Sequence, residues 1–561
     1  MTPDQLSTTI VDVLEALVAD GSVTLPDGVP TTVTVERPRQ QGHGDYATNV
    51  AMQLAKKAGT NPRELADLIQ KRLEASDGVA AVEVAGPGFL NISVEAGAQG
   101  QVAAEVVAAG PAYGSSETLA GQKINIEFIS ANPTGPLHLG HTRWAVLGDA
   151  IGRVLQAAGA GVTREFYIND RGNQMDLFGA SLEAAALGKP IPDDGYQGAY
   201  IVDLAQRIVA EQPDLLDLPD DERGVAFREA GYAAQLKEQQ TQLDSFNTHF
   251  DVWFSERELH ADDSHGSVAD TLKGLGDNGH LFEADGALWM RTTDFGDDRD
   301  RVLIRTNGVL TYFASDTAYY LNKRARGFDR CIYLLGADHH GYVNRLRAMA
   351  ACVGDDPDNN IEVLIGQLVK ILQDGEELRL SKRAGTMVTL DELVEEIGVD
   401  ALRYSLARYP ADSPLTLDVA EITRASNDNP VYYVQYGHAR TCRMMENASD
   451  LGMSLPEDPA GFEPALLSHE LEGRLLRALA EFPRVVASAA ELREPHRIAR
   501  YLEATASVFN KWYDTKECRM LPQGDEPVRP VNLARLVLVA ATRTVLANGL
   551  DLLGVSAPER M

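Results

Sequence analysis

Cysteine is scarce in this chain. There are four in 561 residues, Cys331, Cys352, Cys442 and Cys518, and none belongs to a C-x-x-C pair. Thiols so far apart exclude a disulfide framework, argue against a zinc site and fit a reducing cytosol. Long apolar runs are lacking too: no stretch reads as a bilayer span. The opening MTPDQLSTTIVDVLEAL has neither the basic flank nor the continuous apolar stretch of a secretory signal. A cytoplasmic chain with no membrane partner is expected. Basic residues are also short, 51 Lys and Arg against 82 Asp and Glu, for a formal charge of −31. A field of that sign repels phosphate, so any nucleic-acid contact must come from local basic patches. Composition alone suggests an acidic metabolic enzyme. A hydrophobic fraction of 44% with 24% charged residues is ordinary for a soluble protein, and the length calls for about three domains.

The patterning divides the chain. Residues 1–110 read as a small α+β domain: an amphipathic opening helix, a strand at Thr31–Glu36, a helix around Asp45–Lys57 and a β-rich end at Ala81–Val94. A Gly/Ser connector leads into KINIEFIS, Lys123–Ser130. Over residues 120–395 short β-rich runs (Val162–Tyr167, Cys331–Leu335, Glu362–Leu364) alternate with helical patterns near Arg143–Ala158 and Tyr342–Ala351. That alternation predicts a Rossmann-like, doubly wound α/β parallel sheet, interrupted by a helical insertion at 196–259. After Asp400 strand signals disappear, and 396–561 reads as all-helical, with helices at Asp400–Arg408, Val431–Met445, His469–Ala490, Pro495–Tyr513 and Val531–Leu552. No internal repeat or low-complexity tract is visible.

Two local patterns carry chemistry. In Glu127-Phe-Ile-Ser-Ala-Asn-Pro-Thr-Gly-Pro-Leu-His-Leu-Gly-His141 a buried-type strand enters a Pro/Gly turn and opens a helix. The start of such a helix offers unpaired N–H groups and a positive dipole end to phosphate. His138 and His141, three apart, lie side by side on the first turn. Gly140 lets a purine approach the backbone, and the two imidazoles can donate to phosphate oxygens as charge builds. A capping pair or a metal pair is the plainer reading of the same spacing. The second pattern, Glu377-Leu-Arg-Leu-Ser-Lys-Arg-Ala-Gly385, follows a predicted strand at Gln367–Leu372. A lysine on such a loop can neutralise a transferring phosphoryl group, or it can simply be solvated.

HLGH resembles the HIGH signature of class I aminoacyl-tRNA synthetases, and Arg379-Leu-Ser-Lys-Arg383 resembles their KMSKS, with Arg379 in place of the first Lys and Arg383 in place of the last Ser. GDYATNVA, ANPTGPLHLGHTR, YINDRGNQ, LGADHHGY, LSKRAGT, DALRYSLARY and NPVYYVQYGHAR occur in the order found in the arginyl-tRNA synthetase family, so the resemblance covers nearly the whole chain. It implies an ATP- and Mg²⁺-dependent ligase without a tightly bound cofactor, acting on L-arginine and tRNA-Arg, monomeric, and needing tRNA for adenylate formation. It implies catalysis by His138, His141 and Lys382, and ATP contacts from Pro133, Gly135, Gly140, Ser381 and Arg383. Tyr312 and Asp316, four apart in TYFASDTAYY, fall on the arginine side-chain positions. Asn132 and Asp338 fall near the α-ammonium, with Glu127 close by. A carboxylate is the natural partner of a guanidinium, which it meets through two parallel N–H bonds; a surface or helix-start carboxylate is the bland alternative for Asp316. The helical third resembles a DALR-type anticodon-binding bundle. Arg497, Arg500, Tyr436 and Trp512 there, with Arg37, Arg39 and Gln41 in the first domain, are the expected tRNA contacts. Packing in the core is the competing role for each aromatic. The rivals are another class I synthetase, a small nucleotidylyltransferase and a non-catalytic tRNA-binding paralogue.

Overall fold

The molecule is organised around a five-stranded sheet, seen in a computed structural model that describes residues 1–38, 44–260, 268–373, 375–377, 388–458 and 461–561, with Asp338 described by its backbone alone. In spatial order the strands are Ile361–Gly366, Arg330–Gly336, Lys123–Glu127, Gly161–Ile168 and Val252–Ser255. Every adjacent pair is parallel. Side chains of a strand alternate between faces, and here the alternation divides two cores. Ile332 and Leu334 pack with the helix Leu139–Ala157 on one face. Cys331 and Tyr333 pack with the helices Tyr312–Ala325 and Tyr342–Cys352 on the other. The sheet is therefore doubly wound. From the middle strand, Lys123–Glu127, the chain builds outward to one side and later returns to the other. Strand order thus reverses between Lys123–Glu127 and Arg330–Gly336, and a crevice at the carboxyl ends of the strands is expected there.

The first hundred residues have a core of their own. An antiparallel sheet in the order Tyr46–Thr48, Phe89–Val94, Val79–Ala85 is flanked by the helices Pro3–Ala19, Val50–Ala58 and Pro62–Leu73. Two expectations need correction. The helix expected around Asp45 starts at Val50, because Tyr46–Thr48 is a strand. Thr31–Glu36 forms no ladder beyond a bridge from Glu36 to Ala47. Val33 and Val35 are buried in alternation as a strand would bury them, but the Ser7 hydroxyl takes the Val33 N–H and donates to its carbonyl, at 2.9 and 2.8 Å.

The insertion supplies the helices Ala199–Glu211 and Asp220–Ser245, which share a core with Asn173–Ala186. Its end is no insertion: Val252–Ser255 is the edge strand of the central sheet. The terminal bundle comprises Pro430–Asp450, Glu470–Ala480, Phe482–Leu492, His496–Tyr513 and Pro530–Leu552. The single helix expected over His469–Ala490 is two, the second opening at Phe482-Pro483. Strands do not vanish after Asp400 either, since Leu415–Asp418 pairs in parallel with Val369–Gln373. Contrary to the sequence reading, Pro530–Leu552 is long and apolar enough to cross a membrane, but 72% of its apolar window is buried within the fold.

Two buried arginines tie the helix Leu139–Ala157 to the chain that enters the bundle. Arg143 donates to the carbonyls of Gln367, Pro410 and Ser413 at 2.7–2.9 Å. Arg403 meets Asp149 at 2.5 Å and also donates to the carbonyls of Phe246, Asn247 and Leu553. Charges so buried hold position through their partners, and losing one partner costs about 3–5 kcal/mol.

Candidate active site

The crevice is a cavity of about 520 Å³ at the carboxyl ends of the strands. The middle strand contributes Glu127, its neighbour Tyr167 and Asn169, and the edge strand Glu256 just beyond Ser255. Leu334–Gly336 and Leu368 close the other side. The helix Tyr312–Ala325 adds Tyr312, Asp316 and Tyr319 at the spacing of one face. Thr311 caps that helix. Tyr312 is 70% exposed at the mouth, and Asp316 is half-buried within.

The helix Leu139–Ala157 brings its histidines to the same cavity. His138 is its N-cap, in extended backbone; its Nδ1 accepts the Gly140 N–H at 3.1 Å. His141 Nδ1 accepts the His138 N–H at 3.3 Å, and the ring centroids lie 3.9 Å apart. With both Nδ1 atoms accepting, each neutral ring carries its proton on Nε2. Burial lowers both pKa values; for His141, with His138 adding to the effect, the value is about 3. The pair is a capping box and a pair of uncharged N–H donors at once. A Cβ on Gly140 would come within 2.9 Å of His138 Cε1. Glycine is therefore required for the cap itself, besides any approach of a purine.

The opposite end of the cavity is acidic and aromatic. Burial, then the neighbouring charges of Glu127 and Glu256, push Asp316 up to about 7, with Arg345 opposing. Glu256 is also raised, chiefly by burial. Tyr167, Tyr319, Tyr333 and Tyr342 complete the walls. Two carboxylates that are costly to ionise, set among aromatic rings, make a pocket that a cation would stabilise.

Of the expected site residues, Glu127, Asn132, His138, Gly140, His141, Tyr312 and Asp316 meet here. Asn132 donates to Gln174 at 2.8 Å. Pro133 and Gly135 lie in the preceding turn and are not part of the lining. Asp338 belongs to the short turn Ala337–His339 at the end of its strand. Arg39, Gln41, Arg379, Ser381, Lys382 and Arg383 lie outside the described residues. Sequence reasoning missed Glu256, which has no local motif, and Tyr319 and Tyr333, which read as core.

Arg37, far in sequence from Arg497 and Arg500, lines with them one groove of about 560 Å³ between the first domain and the bundle, together with Arg484, Glu36 and Glu481. Arg37 stands 3.8 Å from Glu481, and Arg497 pairs with Glu494. Tyr436 stacks on Tyr432 at 5.9 Å, and Arg440 lies over the rings of Tyr436 and Tyr513 at 4.8 and 4.4 Å. Trp512 corrects the expectation made for it. It is 0% exposed and packs on Phe509, so its ring is not offered to a base.

Residues 104–206 and 223–409 match the family model for the class I (R) tRNA synthetase catalytic domain. The switch-point cavity and its histidine cap thus belong to a class I aminoacyl-tRNA synthetase. Residues 4–94 match the arginyl tRNA synthetase N terminal domain and 434–561 the DALR anticodon binding domain. The chain is 55% identical to the arginine–tRNA ligases of Renibacterium salmoninarum and Kineococcus radiotolerans, over 100% of each chain. Its fold matches Thermus thermophilus arginyl-tRNA synthetase with a TM-score of 0.73, 22% identity and full coverage of both chains. The chain belongs to the arginyl-tRNA synthetase family.

Proposed function

We propose that the chain is an arginine–tRNA ligase, which activates L-arginine with ATP and passes it to the terminal adenosine of tRNA-Arg. The observation that carries this reading is the carboxylate pair Asp316 and Glu256, in an aromatic cavity that His138 and His141 also line. Asp316, with Tyr312 at the mouth, takes the guanidinium; Asn132, Glu127 and Asp338 surround the α-ammonium. The arginine carboxylate then faces the helix start. Its oxygen attacks the α-phosphorus of ATP, the bond from that phosphorus to the bridging oxygen breaks, and pyrophosphate leaves. His138 and His141 donate to phosphate oxygens as negative charge gathers, without giving up a proton. Mg²⁺ enters with ATP, held by the phosphates. Among the described residues no group of three His, Cys, Asp or Glu stands ready to hold a metal. In the second step the ribose hydroxyl of the terminal adenosine attacks the arginyl carbonyl and AMP leaves. ATP–pyrophosphate exchange run with each amino acid, with and without tRNA-Arg, tests the reading. Exchange is expected with arginine and with tRNA present; exchange driven by another amino acid contradicts it.

Ser381, Lys382 and Arg383 complete the ATP site in this reading. The described chain resumes at Val388, whose carbonyl accepts the Leu139 N–H at 3.0 Å, and Leu390 donates to Leu137 at 2.9 Å. Lys382 is six residues from that anchor, a tether of at most about 20 Å. Lys382→Ala is expected to slow adenylate formation by roughly 10²-fold, the usual loss for one charge-stabilising donor. An unaltered single-turnover rate removes Lys382 from the mechanism.

The groove lined by Arg37, Arg497 and Arg500, with Arg39 close by in sequence, takes tRNA phosphates, and the Tyr432–Tyr436–Arg440 patch stacks on unpaired bases. Basic side chains gathered on one groove offset locally the net charge of −31. Arg500→Ala is expected to weaken tRNA-Arg binding several-fold and to lower the slope of log K against log salt by about one. Filter binding across a salt series reads this, and an unchanged slope removes the groove from the interface. The four cysteines are buried free thiols, which suits the proposed cytoplasmic location, and a monomer is the assembly expected.

A further inference from the structure

Lys323 stands behind the cavity rather than in it. It lies on the helix Tyr312–Ala325, is 0% exposed, and its Nζ is 2.6 Å from Glu127 Oε2. The same ammonium lies 4.2 Å from the ring centroid of Tyr319 and 4.0 Å from that of Tyr333. Glu127, Tyr319 and Tyr333 all line the cavity, whereas Lys323 does not. One buried cation therefore touches three wall groups from the rear. A wholly buried lysine is expensive unless its charge is answered, and an apolar residue would fill this core position more cheaply. A role for the charge is indicated.

The second Glu127 oxygen shows what the charge holds in place. Oε1 accepts the Ser130 hydroxyl at 3.0 Å, and Ser130 Oγ in turn accepts the Tyr167 N–H at 3.2 Å. Ile129 and Ser130 have φ of 68° and 47°, a left-handed conformation that a β-branched residue resists. These two strained residues line the cavity and lead directly to Asn132. The Glu127 carboxylate clamps that turn, and Lys323 clamps the carboxylate. Among the described residues no lysine pairs with Asp316 or Glu256, on which Arg345 and Arg171 act only through their charge, so Glu127 is the wall carboxylate held by a direct cation contact when arginine arrives.

We propose that Lys323 is a positioning residue for arginine, acting through Glu127 to fix the strained Ile129–Ser130 turn and the Asn132 loop against the substrate's α-amino end. The proposal rests on the assignment of this cavity to arginine, and the test separates the two. The full chain is assayed with tRNA-Arg for the KM of arginine and of ATP as wild type, Lys323→Met, Glu127→Gln, the double variant and Asp316→Asn. Lys323→Met is expected to raise the arginine KM about tenfold or more while the ATP KM moves less than about twofold. The double variant is expected to be no worse for arginine than Glu127→Gln alone, because in this account Lys323 acts on the substrate through Glu127 and not through the rings of Tyr319 and Tyr333. An arginine KM left within about twofold by Lys323→Met, equal rises in both KM values, or effects that multiply in the double variant overturn the proposal. Should Lys323→Met not fold with its carboxylate unpaired, the double variant, which removes both charges, decides by the same comparison with Glu127→Gln. If Asp316→Asn leaves the arginine KM unchanged, the cavity assignment itself fails, whatever the lysine variants do.

Discussion

Asp316→Asn is expected to raise the KM for arginine by about 10²- to 10³-fold, since losing one partner of a desolvated, hydrogen-bonded charge pair costs about 3–4 kcal/mol. The substitution keeps the shape and removes the charge, so the ATP KM and the fold should hardly change. Its signature is a loss of discrimination. Citrulline, which replaces the guanidinium by a neutral urea, is rejected by a pocket with buried carboxylates, because they would be left unanswered. In Asp316→Asn the gap between arginine and citrulline narrows by a similar factor, although Glu256 keeps part of it. Competitive inhibition of aminoacylation by citrulline measures this. Equal discrimination in wild type and variant would place the guanidinium elsewhere.

The second large effect belongs to the histidines. His141→Ala is expected to lower the rate of adenylate formation by about 10²- to 10³-fold with the arginine KM within a few-fold, as for loss of a donor that strengthens in the transition state. Part of the loss is indirect, because His141 Nδ1 also takes the His138 N–H. His141→Gln, which can still accept and donate, should recover some of it. Because burial keeps the ring neutral, with a pKa of about 3, no donor is lost as pH rises through 6 and 7. A rate that fell over that interval with the midpoint of an ordinary imidazole would contradict a neutral donor. Single-turnover adenylate formation, with tRNA-Arg present, isolates the step.

The parts of the site that could be read in advance are those in which chemistry sits on one local element. His138 and His141 are three apart at a strand–turn–helix junction, and Tyr312 and Asp316 are four apart on one helix, so spacing alone brings each pair to one face. Glu256 had no such signal. It follows an edge strand whose place beside Gly161–Ile168 is a tertiary fact, reached after two helices of insertion. Lys323 reads as a solvated residue near a helix end, where lysines are common, yet it is buried against Glu127 from a strand almost two hundred residues earlier in the chain. Trp512 failed in the other direction. Ile498, Leu502, Phe509 and Trp512 are spaced as one apolar stripe of the helix His496–Tyr513, and the core takes such a stripe whole. The strand Leu415–Asp418 was missed because four residues between helices give too little alternation to register. Val33 and Val35 misled for the opposite reason, since burial on alternate residues needs no ladder when a serine supplies the hydrogen bonds.

The central claim is that arginine is recognised by a carboxyl that the empty cavity holds near neutrality, and arginine binding tests it through protons. With Asp316 at about 7 in the free protein, about half of these carboxyls are protonated at pH 7. A guanidinium stabilises the ionised form, so binding releases that proton. Affinity therefore rises with pH through 7 and levels off above it, and it falls by up to tenfold per unit below. Isothermal titration of arginine at pH 7, in buffers of different ionisation enthalpy, counts the protons directly. The account predicts release of about half a proton from the wild type, and a clear reduction in Asp316→Asn. Tight binding with no dependence on buffer in the wild type, or the same release from both proteins, would contradict it.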